Sequence, residues 1–123
     1  MKKIKVNTNL GSYPVYIGSN ILKNLKYIFK ENKINFEKSL VVIDQNVPKE
    51  CIKIIKKNLN KSQTLFYYFK PNEKNKNLFE VNKIIKFMLE KNFSRNDCVI
   101  AVGGGIVGDF SSFVASIFKR GLR

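Results

Sequence analysis

The sequence contains no histidine, so it lacks the side chain most used to ligate transition metals and to move protons near neutral pH. Cysteine is nearly as scarce: Cys51 and Cys98 are the only two. Both sit in apolar surroundings without a CxxC pair, and two ligands fall short of the three or four that a zinc site needs. Structural thiols in a reducing, cytoplasmic setting are expected, with a single disulfide as the alternative that the sequence leaves open. No stretch approaches the roughly 18 apolar residues of a membrane span. The opening residues, Met1-Lys2-Lys3-Ile4-Lys5-Val6-Asn7, carry no apolar run of signal-peptide length. A soluble chain is expected. Acidic residues are few, nine against 23 lysines and arginines, giving a net charge of +14. Such a surplus raises nucleic acid as a partner. However, lysine far outnumbers arginine and is dispersed along the chain. Lysine, asparagine, isoleucine and phenylalanine also share A- and T-rich codons, so base composition accounts for the charge better than a dedicated basic face. Nucleic acid is therefore not the expected partner, although the surplus steers small anions toward the protein.

What is present suits one domain of 123 residues, 44% hydrophobic, with a modest core. Residues 3–8 and 13–17 alternate apolar and polar side chains around Asn9-Leu10-Gly11-Ser12, which predicts an N-terminal hairpin. Ser19 suits a helix N-cap, with Ile21, Leu22, Leu25, Ile28 and Phe29 on one face behind it. Residues 40–43, 65–69 and 98–102 are short, continuously apolar runs, the pattern of strands buried on both sides. Between them lie helical patterns: one opening at Pro48 and carrying Cys51, Ile52, Ile55 and Leu59, the other carrying Leu78, Val81, Ile84, Ile85, Met88 and Leu89. A last helix is marked by Phe110, Phe113, Val114 and Ile117. Strands alternating with helices predict an α/β fold, a hairpin followed by a parallel Rossmann-like sheet with flanking helices.

The chemistry is concentrated at the carboxyl ends of those strands, where open α/β sheets bind ligands. Gly103-Gly104-Gly105-Ile106-Val107-Gly108-Asp109 follows the run 98–102, and such a strand, glycine turn and helix start brings backbone N–H groups against a phosphate. The stretch satisfies G-x-G-x-x-G, but the usual dinucleotide fingerprint belongs to a first βα unit with an acid about 20 residues on. Only fourteen residues follow Asp109 here. A tight packing turn is the alternative. Asp44 and Asn46 end the first buried run, where they can hold ribose and adenine or simply cap the helix opened by Pro48. Glu73 and Lys76 lie in the polar connector 71–76 at the same edge, where charged residues are usually only solvated. Asp109 at a helix start is favoured by the helix dipole alone. Arg120 is either a cation at the end of the last helix or a bidentate grip on a phosphate.

Together these segments resemble 3-dehydroquinate synthase, in its N-terminal, NAD-binding portion. The resemblance is carried by Tyr13-Pro14-Val15-Tyr16-Ile17-Gly18, Asp44-x-Asn46-Val47, Glu73-x-x-Lys76 and Gly103-Gly104-Gly105-Ile106-Val107-Gly108-Asp109-Phe110 with Phe113, Ala115, Arg120 and Gly121 behind it. It implies that Asp44 and Asn46 hold the adenosine half of NAD, with Glu73 and Lys76 along its ribose and phosphates. Gly104, Gly105 and Ile106 would contact the pyrophosphate and Asp109 the second ribose, with Asn72, Val107 and Gly108 also among the cofactor-binding residues. Arg120 would take the substrate phosphate, including that of a neighbouring subunit. Asn72 stands where the family prefers glycine, and Ser111-Ser112 where a pair usually ends in glycine, which puts close packing at Ser112 in question.

The family converts 3-deoxy-D-arabino-heptulosonate 7-phosphate to 3-dehydroquinate and phosphate in the shikimate pathway. Its members are cytoplasmic, act on a phosphorylated sugar acid and pair as homodimers. The resemblance implies that residues 1–123 are an incomplete NAD-binding domain that stops before a helical domain bearing the ligands for zinc or cobalt. This chain would then hold cofactor but no catalytic or metal-binding residue, and would be inactive alone. Apolar surface around Val102, Phe113, Val114 and Ile117 is expected to lack cover. The alternatives are a related cyclase such as 2-deoxy-scyllo-inosose synthase, a glycerol-dehydrogenase-like enzyme, and a non-catalytic nucleotide- or polyanion-binding remnant.

Overall fold

In the computed structural model, which describes residues 1–59 and 63–121, the chain forms two separate sheets. Strands β1 (Lys2–Thr8) and β2 (Gly11–Ile17) pair antiparallel, Lys2 opposite Ile17 and Thr8 opposite Gly11. The connection is therefore Asn9-Leu10 alone, two residues shorter than the sequence pattern predicts, because Gly11 and Ser12 are already in the ladder. Thr8 closes the turn by donating its hydroxyl to the Gly11 carbonyl at 2.9 Å.

The second sheet is parallel, with β3 (Lys38–Asp44) between β4 (Gln63–Phe69) and β5 (Cys98–Val102). Leu40, Val41, Val42 and Ile43 have no exposed surface. Successive side chains of a strand point to opposite faces, and each pair builds its own core. Leu40 and Val42 meet Phe69, Val81, Ile84, Met88, Val107, Phe110 and Val114 on one face. Val41 and Ile43 meet Ile55 and Leu59, with Leu22, Leu25 and Phe29 partly buried around them. Burying side chains of this size stabilises the fold by about 1.5–3 kcal/mol each.

The helices follow from that division. Helices α1 (Leu25–Glu31) and α2 (Lys49–Asn58) cover the Val41 face, whereas α3 (Leu78–Glu90) and α4 (Gly105–Ile117) cover the Leu40 face. The predicted α/β class, with a hairpin ahead of a parallel sheet, is what the chain adopts. Two strands differ from expectation. β4 is only partly buried along most of its length, and Ala101 of β5 is exposed, since both flank β3 and have a partner on one side alone. Among the described strands only β3 is buried on both faces.

Helix starts differ too. Ser19 is not an N-cap; Asn20 in left-handed backbone (φ 59) leads into a 3-10 turn, Ile21–Asn24, and α1 begins after it. Asparagine tolerates that conformation, so the chain turns there without a side-chain cap. Pro48 precedes α2 with ψ 142 rather than lying within its first turn. On α4, Val114 is fully buried, while Phe113 and Ile117 are 44% and 49% exposed. Lack of cover is thus confined to the outer face of the helix. Ser112 lies on that exposed face and crowds nothing, whereas Ser111 is buried with its hydroxyl unpartnered.

The hairpin is tied to α1 by polar contacts. The Lys3 ammonium meets Glu31 at 2.8 Å, the Tyr16 hydroxyl donates to the same carboxylate, and Asn32 donates to the Tyr16 oxygen at 2.8 Å. Lys3 and Tyr16 together hold the Glu31 carboxyl below the usual carboxylate range.

Candidate functional site

β3 and β5 end side by side, Ile43 opposite Val102, and so bring two stretches sixty residues apart in sequence to one edge. On the β3 side, Asp44 Oδ1 accepts the Asn46 N–H at 2.7 Å, and the Asp44 carbonyl accepts the Val47 N–H at 3.0 Å. Asp44 thus shapes the turn that follows its own strand and does not cap α2, whose start has no side-chain cap. Oδ2 is left without a partner among the described residues, and Asn46 is exposed beside it.

On the β5 side the glycines divide into two kinds. A Cβ on Gly103 would lie 2.8 Å from Val107 Cγ2 and 3.1 Å from the Asp44 Cβ. Its φ of 157 also disfavours a side chain. Packing therefore requires glycine at 103, a position the motif reading left out of the site although it opens the run of three. A Cβ on Gly104, Gly105 or Gly108 would meet nothing within 4 Å, so packing does not explain them. They leave space. α4 begins at once: Gly104 is its N-cap, with no side-chain cap, and the first intrahelical bond runs from Gly108 N to Gly104 O at 3.1 Å. The N–H groups of Gly105, Ile106 and Val107 precede that bond and have no helical carbonyl to meet.

This arrangement refines three expected roles. Val107 has a fully buried side chain, so only its N–H is available to a ligand. Gly108 commits its N–H to the helix and stands behind the turn. Asp109 is not in the first turn of α4, where there is no acidic residue, so the helix dipole does not account for it. Its partner is Lys76, at 2.9 Å, and the carboxylate holds that ammonium above the usual lysine range.

The connector after β4 supplies the third side of the edge. Asn72 accepts the Asn75 N–H at 2.9 Å and caps the 3-10 turn Glu73–Asn75. It does so in extended backbone (φ −142, ψ 160), a conformation that does not call for glycine. Glu73 is exposed. Asn77 caps α3 by accepting the Glu80 N–H at 2.9 Å. It also lines a groove of about 370 Å³ with Lys76, Leu78, Val81, Asp109, Phe110 and Phe113. The motif reading does not include Asn77 in the site, although Asn-x-x-Glu ahead of an apolar run is a helix-start signal readable in sequence.

Asp44, Asn46, the glycine turn, Lys76 and Asp109 are therefore brought together. Arg120 is not. It follows α4, whose span from Gly105 to Ile117 is about 18 Å at 1.5 Å per residue, so it lies at the far end from the turn. Arg120 is exposed, in left-handed backbone (φ 70), and makes no ion pair among the described residues. No three His, Cys, Asp or Glu side chains converge among the described residues. None of the helices there is long and apolar enough to cross a membrane. The edge fits an elongated anion: uncrowded glycines and unbonded N–H groups at a helix N-terminus receive a phosphate, and a carboxylate oxygen waits at the next strand.

Comparison with known proteins bears on the family resemblance. Residues 66–123 match the family model described as 3-dehydroquinate synthase N-terminal. The 3-dehydroquinate synthase of Pelagibacter ubique is 52% identical over 121 residues, 98% of this chain and 33% of that protein. That of Buchnera aphidicola subsp. Cinara cedri is 39% identical over 127 residues, 100% of this chain and 34% of that protein. A crystal structure of 2-deoxy-scyllo-inosose synthase, complexed with carbaglucose-6-phosphate, NAD+ and Co2+, superposes with a TM-score of 0.85. It is 18% identical and covers 98% of this chain and 33% of that one, a likeness of fold. The chain spans about a third of the length of the curated relatives it matches. The resemblance to the N-terminal region of 3-dehydroquinate synthase is borne out.

Proposed function

We propose that this chain is the NAD-binding portion of a 3-dehydroquinate synthase, and that the dinucleotide lies across the carboxyl edge of β3 and β5. The observation that carries the reading is the contrast among adjacent glycines. Gly103 is demanded by its neighbours, while Gly104 and Gly105 stand open beside the three N–H groups that begin α4. A packing turn explains the first and not the others. The pyrophosphate is received by the N–H groups of Gly105, Ile106 and Val107. Asp44 Oδ2 accepts from the adenosine ribose, with Asn46 beside it, and Glu73 borders the connector side.

When bound, NAD supplies a hydride acceptor and donor. This chain's residues position it: the glycine turn fixes the phosphates, and Asp109 faces the groove where the second ribose is held. The apolar walls made by Val81, Phe110 and Phe113 limit water there. The divalent ion expected for the family has no ligand set among the described residues, and the whole conversion to 3-dehydroquinate draws on parts of the relatives that this chain does not span. Arg120, remote from the turn, is suited to a substrate phosphate presented by a neighbouring subunit. The reading brings with it a phosphorylated sugar acid as the substrate of the whole protein, a homodimer and a cytoplasmic setting. Sequence identity of 52% to a 3-dehydroquinate synthase favours it over a 2-deoxy-scyllo-inosose synthase, for which the likeness is at 18%.

Titration calorimetry tests the assignment. NAD+ is expected to bind the wild-type chain, and Gly104→Val to weaken binding by about tenfold or more, since a side chain there bars the close approach that glycine allows. Equal affinity in a folded Gly104→Val variant would remove the glycine turn from the site.

A further inference from the structure

The chain leaves α4 through a turn made of residues that its shape disfavours. The Phe118 carbonyl accepts the Gly121 N–H at 2.7 Å. Both residues between them hold positive φ, 41 at Lys119 and 70 at Arg120. A turn of that mirror-image kind is ordinarily made by glycine, asparagine or aspartate. Here glycine stands only at the last position, Gly121, where φ is 101. Long side chains in left-handed backbone are strained, and such strain persists only where the surroundings enforce it. Three groups enforce it. The Phe118 ring is buried, Gly121 closes the turn, and the Lys119 ammonium donates to the Phe93 carbonyl at 2.9 Å. That carbonyl is a fixed point, because Phe93 is fully buried and its own N–H donates to the Met88 carbonyl at 3.0 Å. Lys119 therefore hooks the turn onto the exit of α3.

What the turn carries is Arg120, exposed and without an ion-pair partner among the described residues. A cation at the end of a helix is favoured on the last carbonyls. The turn takes Arg120 off that path, and the Phe118 carbonyl is already occupied by Gly121. Resting on the reading of Arg120 as the group for a substrate phosphate, we propose that Lys119 is its positioning residue. The hook on Phe93 holds the strained turn and so fixes the direction in which Arg120 meets the phosphate. Lys119 does not touch the phosphate itself. Its ammonium is committed to Phe93 and lies over the Phe118 ring, 5.6 Å from the centroid. An arginine on a loose chain end has to be ordered when its ligand arrives, and a turn that is already held removes that cost.

NMR on the isotope-labelled chain tests both the turn and the arginine it carries. A strong cross-peak between a residue's own N–H and Hα marks positive φ. It is expected at Arg120 in the wild type and in Lys119→Arg, which keeps a donor for the Phe93 carbonyl. In Lys119→Met it is expected to be lost. Inorganic phosphate is then titrated in while the side-chain Nε–H signals of Arg120 and Arg95 are followed, Arg95 being an exposed arginine outside the turn. Arg120 is expected to bind phosphate about threefold more tightly than Arg95 in the wild type, through its preorganised turn. Lys119→Met should bring it down to the level of Arg95, and Lys119→Arg should restore the difference. Melting curves check that each variant is folded; a role in stability alone would lower the midpoint and leave the Arg120 signals unmoved. Unchanged Arg120 signals in folded Lys119→Met, or no positive-φ signature there in the wild type, overturn the proposal and leave the reading of Arg120 standing. Equal phosphate responses at Arg95 and Arg120 in the wild type overturn that reading, and this inference with it.

Discussion

The two ends of the parallel sheet are built on opposite plans. At the amino end polar groups are tied down. Buried Asp97 accepts the Lys38 and Ser94 N–H groups at 2.9 and 2.7 Å. The Lys38 ammonium donates to the Lys91 and Asn92 carbonyls at 3.0 Å each, and Ser39 meets Thr64 across the strands at 3.2 Å. At the carboxyl end donors and acceptors are left over: the N–H groups opening α4, Asp44 Oδ2, the exposed Asn46. A folded chain leaves such groups open only where water or a ligand completes them. One end holds the strands in register, and the other is kept for something else.

Substitutions should therefore separate stability from binding according to the end they strike. Asp97→Ala should cost the most, about 2–4 kcal/mol for two charge-assisted bonds lost in a buried site. NAD+ affinity of the folded protein should change less than about twofold. Urea unfolding alongside calorimetry measures both, and a large loss of affinity would break the separation. Gly103→Ala should cost about 1–3 kcal/mol by overpacking against Val107 and Asp44. It is the one change expected to strike both properties, because the Asp44 turn must shift.

Gly104→Ala sharpens the contrast, being the same chemical change one residue along. Its Cβ meets nothing, so stability should stay within about 0.5 kcal/mol. Similar destabilisation by alanine at 103 and 104 in matched melts would contradict the two kinds of glycine. The smallest effect concerns pH. Asp109 raises the pKa of Lys76 in the folded chain, so whatever the pair contributes is fully present below the unfolded lysine value of about 10.4. It is lost as pH rises through the higher folded value. Carbon-detected 13C shifts around Gly105 and of the Asp109 carboxylate should move in that alkaline window while the urea midpoint hardly responds, since exposed pairs add little to stability. A transition in those shifts near neutral pH would mean another group controls the turn.

Much of this was legible in the sequence. The run 40–43 could be read as a fully buried strand because a strand covered on both faces has no polar position to alternate. The glycine turn and Asp44 could be placed on one edge because a parallel sheet aligns its carboxyl ends. Flanking strands were harder: the hydrophobic run of β4 looks like that of β3, and only sheet order shows that one lies outside the other. The start of α4 was hidden by its own composition. Glycine is a poor helix former, so Gly105 reads as turn, and Asp109 reads as opening a helix that it in fact enters one turn late. Which of three consecutive glycines is required by packing could not be read either, because Val107 and Asp44 crowd Gly103 only after folding. The distance of Arg120 from the turn follows from that earlier helix start.

The position of β3 between its two partners also sets an order of events during synthesis. β3 is the first strand of its sheet to be made, yet its neighbours are β4 and β5, which follow it along the chain. At about 5–20 residues per second, the most apolar segment waits several seconds after leaving the ribosome before β5 is made to flank it. Until β4 follows, residues 40–43 have both edges bare, and until β5 does one edge stays open, the form most prone to pair with another chain. Lys38 ahead of them and Asp44 behind place a charge at each end of the run, the arrangement by which nascent chains discourage such encounters.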